Sequence, residues 1–312
     1  MVELFEWESQ DCEINLSISG IEPFKDINKL NRDPRKPSLI LAERYDVNED
    51  NITIVHSAQE GLFFCLLSLK PKEIFIPIPS YPPMFEQAEL LGIKVNFVND
   101  IYDLSNKFII LSNPNNPTGE VYDINKLLNN GNLVIADEIF KYFVKDEEYF
   151  DDNLIILSST SKFFNIHERK VGWIVAKKEI SEKIKQIKDL ISPEPIYDKE
   201  LIQYIYFNYG FFKERNLSII KTNLKNIGNL GKYFKIVYNS YMPVLMLERE
   251  KLDSYTYCYK LLKNTGVLLT PMSFFKKNDA IRLYLGLGNH SLFEDAIKRI
   301  EEFNERYFKI ST

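Results

Sequence analysis

Lys162 follows the apolar run "NLIILSS" (153–159) almost directly and is flanked by hydroxyls in "SSTSK". Most lysines lie in surface loops. A partly desolvated one gives up its proton more easily and can attack an aldehyde as a Schiff-base lysine. Asp137 ends the run "LVIAD", and an acid at the carboxyl end of a buried strand stands where α/β folds place ligand-binding groups. Its plainer role is a helix or turn cap. Its chemical role would be an anion that keeps a cofactor's ring nitrogen protonated. "NPNNPTG" (113–119) follows the strand-like run 107–112. Its composition gives a tight turn, and such a turn can also hold one side chain still for a ligand. In "HSAQEG" (56–61), Ser57 and Glu60 have the spacing of a capping box. A strand followed by a helix start also suits a phosphate, provided Glu60 points away. "GLGNHS" (286–291) half-resembles a dinucleotide loop, but too little chain follows for a second βα unit, so that reading is rejected.

The bulk composition excludes several classes. The chain has 312 residues, enough for one large or two medium domains. Apolar residues make up 45% and charged residues 27%, as in ordinary soluble proteins. The net charge is −5 with no long block of one sign, which argues against a nucleic-acid partner. "RDPRK" (32–36) is the densest basic cluster and reads as a solvated loop. Cys12, Cys65 and Cys258 are far apart without a CxxC, which points to a reducing, cytoplasmic setting and to no metal site. His56, His167 and His290 are scattered and no GxSxG is present, so metal hydrolysis and Ser-His-Asp chemistry lack support. The start "MVELFEWESQ" lacks the pattern of a signal peptide. The longest apolar run, "LFFCLLSL", is too short to span a bilayer.

The elements that must position these residues alternate along the chain. Strands are expected at 51–57, 73–79, 93–98, 107–112, 132–138, 153–159 and 171–177, with helices at 58–69 and 82–92. Runs apolar on both faces predict an α/β fold with a mostly parallel sheet covered by helices. Residues 178–232 read as amphipathic helix broken at "ISPEPIYD" (191–198). Beyond about residue 233 the strands "KIVYNS" (235–240), "PVLMLERE" (243–250) and "AIRLYLGL" (280–287) surround a helix at 252–264. A final helix is expected over 292–308, which gives a smaller α+β domain. The expected division is an N-terminal segment 1–37 joining the small domain, a large domain 38–232 and a small domain 233–312.

Taken in order, these motifs resemble the class I/II aminotransferase family, whose fold is the fold-type-I pyridoxal 5′-phosphate (PLP) fold. "NPNNPTG" is similar to the family's N-P-x-N-P-T-G, "ADEIF" to its D-E-x-Y stretch, "SSTSK" to its S-x-x-K and "PSYPPMF" (79–85) to its P-[ST]-[YFW] stretch. The resemblance implies PLP as cofactor, a seven-stranded sheet in the large domain and a homodimer. It makes Lys162 the Schiff-base lysine, Asp137 the partner of the pyridine nitrogen and Asn116 the partner of the phenolic oxygen. Tyr81 would stack on the ring. Ala58, Gln59, Ser159 and Lys170 would hold the phosphate, and Arg282 in "AIRLYLG" would grip the substrate carboxylate, a task suited to a guanidinium fork. The implied reaction moves an amino group between an amino acid, phosphorylated or not, and a 2-oxo acid.

Four positions depart from the family pattern. Lys170 replaces an arginine, Phe140 the tyrosine of D-E-x-Y, Ser57 a glycine, and Asn31 a tyrosine that reaches the neighbouring subunit. Size and layout resemble histidinol-phosphate aminotransferases and the related threonine-phosphate decarboxylases, and "DEIF" is similar to the decarboxylase pattern. Decarboxylation is therefore the second reading. A PLP-binding homologue without catalysis is the third.

Overall fold

Runs such as "LVIAD" and "LIILSS" are apolar at successive positions because both faces of their sheet are covered. The computed structural model describes residues 3–192, 194, 195, 197–238 and 241–308. A short helix, Glu3–Glu8, and a two-residue strand, β1 (Ile14–Asn15), come first. Seven strands then form the main sheet: β2 (Ile52–Val55), β3 (Glu73–Pro77), β4 (Lys94–Val98), β5 (Phe108–Ser112), β6 (Leu133–Asp137), β7 (Leu154–Ser159) and β8 (Gly172–Val175). Their order is β2-β8-β7-β6-β5-β3-β4. Strand β8 runs antiparallel to both neighbours, and the other pairs are parallel. The mostly parallel seven-stranded sheet expected from the sequence is therefore present.

Alternate side chains of these strands feed two cores. Ile109, Leu111, Val134, Ala136 and Ile156 pack with helices Pro37–Tyr45 and Tyr209–Lys225. Ile110, Ile135, Ile155 and Leu157 pack on the other face with helices Ala58–Leu69, Pro82–Leu90 and Lys178–Ile191. A single-residue register slip would exchange the two sets, so burial on both sides fixes the strand ends that carry the site.

The remaining strands are β9 (Lys235–Val237), β10 (Val244–Glu248), β11 (Val267–Leu268), β12 (Thr270–Pro271) and β13 (Ala280–Tyr284). Four of them form an antiparallel sheet in the order β12-β13-β10-β9, with helices Ser254–Thr265 and His290–Tyr307. β1 pairs in parallel with β11, and Trp7 Nε1 donates to the Leu269 carbonyl at 2.7 Å.

Some expectations shift. Among the described residues, the helical stretch 178–232 holds three α-helices, Lys178–Ile191, Ile202–Ile205 and Tyr209–Lys225, with short 3-10 turns at Asp198–Leu201 and Leu230–Lys232. Within the break expected at 191–198, Pro193 and Ile196 lie outside the described residues, as do the last two residues of the strand expected at 235–240. Helix Glu3–Glu8 and strands β1, β11 and β12 are too short to show a period in sequence. "RDPRK" is a paired loop and not simply a solvated one. Arg32 donates to Gln203 Oε1, Arg35 binds Asp33 and Glu43, and Lys36 binds Glu49. The glycines of "GLGNHS" serve a close backbone approach. A Cβ at Gly286 would stand 2.4 Å from the Gly20 carbonyl, and one at Gly288 would overlap the Glu22 carboxylate. No helix among the described residues is long and apolar enough to cross a membrane.

Candidate active site

Three parallel strands end side by side and deliver one candidate site residue each. Asp137 is the last residue of β6, Asn116 lies in the turn after β5, and Lys162 follows β7. Register fixes their relation, since Ser112 stands opposite Asp137 and Asp137 opposite Leu157. All three line one cavity of about 730 Å³. That volume suits a cofactor-sized ligand. Tyr81, Ala58, Gln59 and Lys170 line the same cavity.

The asparagine-rich turn divides its work. Asn113 is riveted to Tyr122, accepting from its N–H at 2.9 Å and donating to its carbonyl at 3.3 Å. Asn115 Nδ2 donates to the Pro79 carbonyl at 3.0 Å, while its Oδ1 accepts from the Thr118 hydroxyl at 2.9 Å. These bonds stiffen the turn and leave Asn116 to face the cavity. Its Oδ1 accepts from Arg282 Nη1 at 3.2 Å, and its amide nitrogen has no protein acceptor among the described residues.

Burial shifts the acidities of Lys162 and Asp137 in opposite directions, because it disfavours the charged form of each. Burial lowers the Lys162 ammonium from its ordinary value to about 8, opposed by the nearby Glu8 and Asp137 charges. Burial raises the Asp137 carboxyl to about 6, opposed by a hydrogen bond from the Ile139 N–H and by the Lys162 charge. An amine that is partly neutral near pH 7 is a competent nucleophile. Its Nζ donates to Ser19 Oγ at 2.9 Å and to the Ser19 carbonyl at 3.1 Å.

Beside the lysine, the start of helix Ala58–Leu69 opens on the cavity. Ser57 Oγ accepts from the Glu60 N–H at 3.1 Å, as the S-x-x-E spacing implies. The Glu60 carboxylate turns back onto His56, taking its N–H at 2.7 Å and facing its ring Nδ1 at 3.1 Å. The helical N–H groups of Ala58 and Gln59 have no intrahelical acceptor, as at any helix start, and suit an anion. Lys170, at the cavity rim, supplies a cation. Ser159 is placed differently from its neighbours. Its Oγ accepts from the Ser161 N–H at 3.3 Å, and it is Ser161, not Ser159, that lines the cavity.

Arg282 approaches from the small sheet, in the middle of β13 between Met246 and Thr270. It is 1% exposed, and its Nη2 meets the Ser17 carbonyl at 2.6 Å, Thr270 Oγ1 at 3.2 Å and Glu8 Oε1 at 3.2 Å. Its Nε is buried without a partner. The guanidinium also lies 5.1 Å from the Phe275 ring centre.

Sequence motifs do not reveal Glu8, Ser19 or Ser161. Glu8 and Ser19 come from the N-terminal segment, which long-range contacts carry to the site: β1 pairs with β11, Trp7 and Leu4 dock on the small sheet, and Leu16, Ser17 and Glu22 bond to Tyr284, Thr270 and Gly286. Ser161 was hidden by its neighbour, since one hydroxyl in "SSTSK" looks like another.

Residues 41–300 match the pattern of the family described as aminotransferase class I and II. The chain belongs to this family. As an aminotransferase-family member it is 24% identical to a histidinol-phosphate aminotransferase of Methanococcus aeolicus, over 91% of this chain and 84% of that one. Its fold is similar to that of a PLP-dependent aminotransferase from Streptococcus suis, with a TM-score of 0.83, 18% identity and 98% of each chain covered. It is also similar in fold to an L-threonine-O-3-phosphate decarboxylase from Porphyromonas gingivalis, with a TM-score of 0.75, 19% identity and 94% and 99% covered. The aminotransferase-family fold thus extends over nearly the whole chain.

Proposed function

We propose that the protein is a PLP-dependent aminotransferase acting on an amino acid and a 2-oxo acid. The observation that carries this reading is the convergence of Lys162, Asp137 and Asn116 on one cavity, with Arg282 bonded to Asn116 at its edge. The donor set fits the cofactor. An amine lowered to about 8 suits an aldehyde, a carboxylate suits a ring nitrogen, and a free amide nitrogen suits a phenolic oxygen. A helix start flanked by Ser161 and Lys170 suits a phosphate. When bound, PLP supplies an electron sink that stabilises negative charge at the substrate α-carbon.

In this reading Lys162 would hold the aldehyde, and its amine would move a proton to and from the substrate α-carbon. Asp137 keeps the ring nitrogen protonated, Asn116 holds the ring oxygen and Tyr81 covers the ring. Ala58, Gln59, Ser161 and Lys170 hold the phosphate, and Ser159, which does not line the cavity, supports Ser161 through its hydroxyl. Arg282 fixes the substrate carboxylate. Phe140, buried with its ring centre 6.0 Å from Lys162 Nζ, covers the amine without offering it a hydrogen bond.

The division into segment 1–37, large domain 38–232 and small domain 233–312 is part of the same proposal, supported by the two separate main sheets. So is a homodimer. Leu190, Ile191, Tyr197, Phe207 and Phe211 are exposed apolar side chains, and Ile191 also lines the cavity. Three free thiols fit a reducing compartment, the cytoplasm.

The test is the visible absorption spectrum of the purified protein with PLP, beside Lys162→Ala. A band present in the wild type and absent in the variant supports the assignment. Amino acids are then screened for a change in that band and for 2-oxo acid release. Carbon dioxide release in its place would favour the decarboxylase reading. The same featureless spectrum from both proteins would leave a non-catalytic homologue.

A further inference from the structure

We propose that Glu8 is a specificity-determining residue: its carboxylate stands in for a substrate carboxylate at Arg282 and competes with it. The proposal rests on the assignment of Arg282 as the carboxylate-binding residue. Arg282 is almost wholly buried, and a desolvated cation needs a counter-charge. Among the described residues its one ion-pair partner is Glu8, at 3.2 Å. Its other acceptors, the Ser17 carbonyl, Thr270 Oγ1 and Asn116 Oδ1, are uncharged. Glu8 therefore occupies, with the same functional group, a place that an amino-acid carboxylate would take on the guanidinium.

Glu8 is well held for this role. It closes helix Glu3–Glu8, whose Leu4 and Trp7 are buried, Leu4 against Met246, Met272 and Phe275 and Trp7 against Tyr255 and Phe274. The backbone is thus fixed to the small sheet, while the Glu8 side chain is one quarter exposed and lines the cavity. A side-chain rotation alone can free Arg282. While Glu8 stays paired, the guanidinium is neutralised and the site admits an amine without a carboxylate at that position. When an amino acid binds, its carboxylate must take the guanidinium from Glu8. Glu8 thereby sets the preference between the two substrate classes.

The experiment compares wild type, Glu8→Gln and Glu8→Ala, all loaded with PLP. Calorimetric titration uses succinate, a dicarboxylate with no amine to react. Both variants are expected to bind succinate about tenfold tighter or more, the worth of one charge-assisted hydrogen bond. The ratio of kcat/KM for an amino acid to that for its carboxylate-free amine rises by a similar factor, through KM and not kcat. In an Arg282→Lys background, Glu8→Gln is expected to leave succinate binding unchanged. Unchanged or weaker succinate binding in both Glu8 variants overturns the proposal, because Glu8 then orients Arg282 and does not compete. Equal tightening in the Arg282→Lys background also overturns it. Loss of the Lys162-dependent band in wild type counts against the enzyme assignment alone, since calorimetry reads the Glu8–Arg282 pair without turnover.

Discussion

Lys162 Nζ and Ser19 are joined by two hydrogen bonds, to the hydroxyl at 2.9 Å and to the carbonyl at 3.1 Å, across 143 residues of chain. The next residue, Gly20, lies along the lysine stem. Its φ is +115°, and a Cβ there would stand 3.2 Å from Lys162 Cδ. Gly20→Ala is expected to cost about 1 kcal/mol or more of stability, because alanine is strained at that φ. It should also slow PLP capture by pushing the lysine aside. Thermal unfolding and the rate of band appearance check the two effects separately.

The rate of PLP capture should rise with pH. Burial holds the Lys162 ammonium at about 8, and the neutral amine is the attacking form. The rate is therefore half-maximal near pH 8 and level above it. Below about pH 6 the buried Asp137 carboxyl takes up its proton and the anion is lost. Stopped-flow absorbance across this range gives the profile. A midpoint near the ordinary lysine value would mean that Lys162 is not desolvated in solution.

Asp137→Asn keeps the shape and an oxygen for the Ile139 N–H but removes the charge. We expect kcat to fall by about 10²–10³-fold, as when one preorganised electrostatic group is lost, with the fold intact. Steady-state kinetics beside circular dichroism decide. Full activity would take Asp137 out of the electronic role.

Lys170→Arg replaces a point charge with a fork at the cavity rim. PLP should bind roughly threefold to tenfold tighter, the value of one further hydrogen bond. Equilibrium titration with PLP measures this, and unchanged affinity would place the phosphate elsewhere.

Gly172→Ala tests the helix start. Gly172 pairs with both Val55 and Ser159. A Cβ there would lie 2.5 Å from Ser57 C and 2.7 Å from Ala58 N, both backbone atoms that cannot rotate away. The expected cost is about 1–3 kcal/mol in stability, together with weaker PLP binding. If stability falls and PLP affinity holds, the N–H groups of Ala58 and Gln59 are not the phosphate seat.

The main sheet was legible because its central strands β5, β6 and β7 are buried on both faces and bounded by turn residues. Helix Ala58–Leu69 was legible from its capping residue. The turn 113–119 was legible as a mount, and the structure shows why only Asn116 faces the cavity: Asn113 and Asn115 are spent on the turn itself. Ser19 and Glu8 were not legible. Their segment has no local period, and it reaches the site through contacts distant in sequence, such as β1–β11 pairing and the docking of Trp7 on Leu269, 262 residues away. Ser161 differs from Ser159 by which way a two-residue turn points its hydroxyls, which no spacing rule encodes.

The antiparallel return of β8 beside β7 makes the stretch between them one closed excursion. Its neck is tied by the Thr160 N–H to the Val171 carbonyl at 3.0 Å and by the Val171 N–H to Thr160 Oγ1 at 3.1 Å. Phe163, Phe164 and Ile166 anchor it from inside, and Asn165, His167 and Glu168 turn it with positive φ. Lys162 and Lys170 both ride on this excursion. For an engineer, the amine and the rim cation form a single graftable cassette. Exchanging residues 160–171 with those of another family member transfers both in register. A parallel crossover would have scattered them onto separate segments, each free to drift alone.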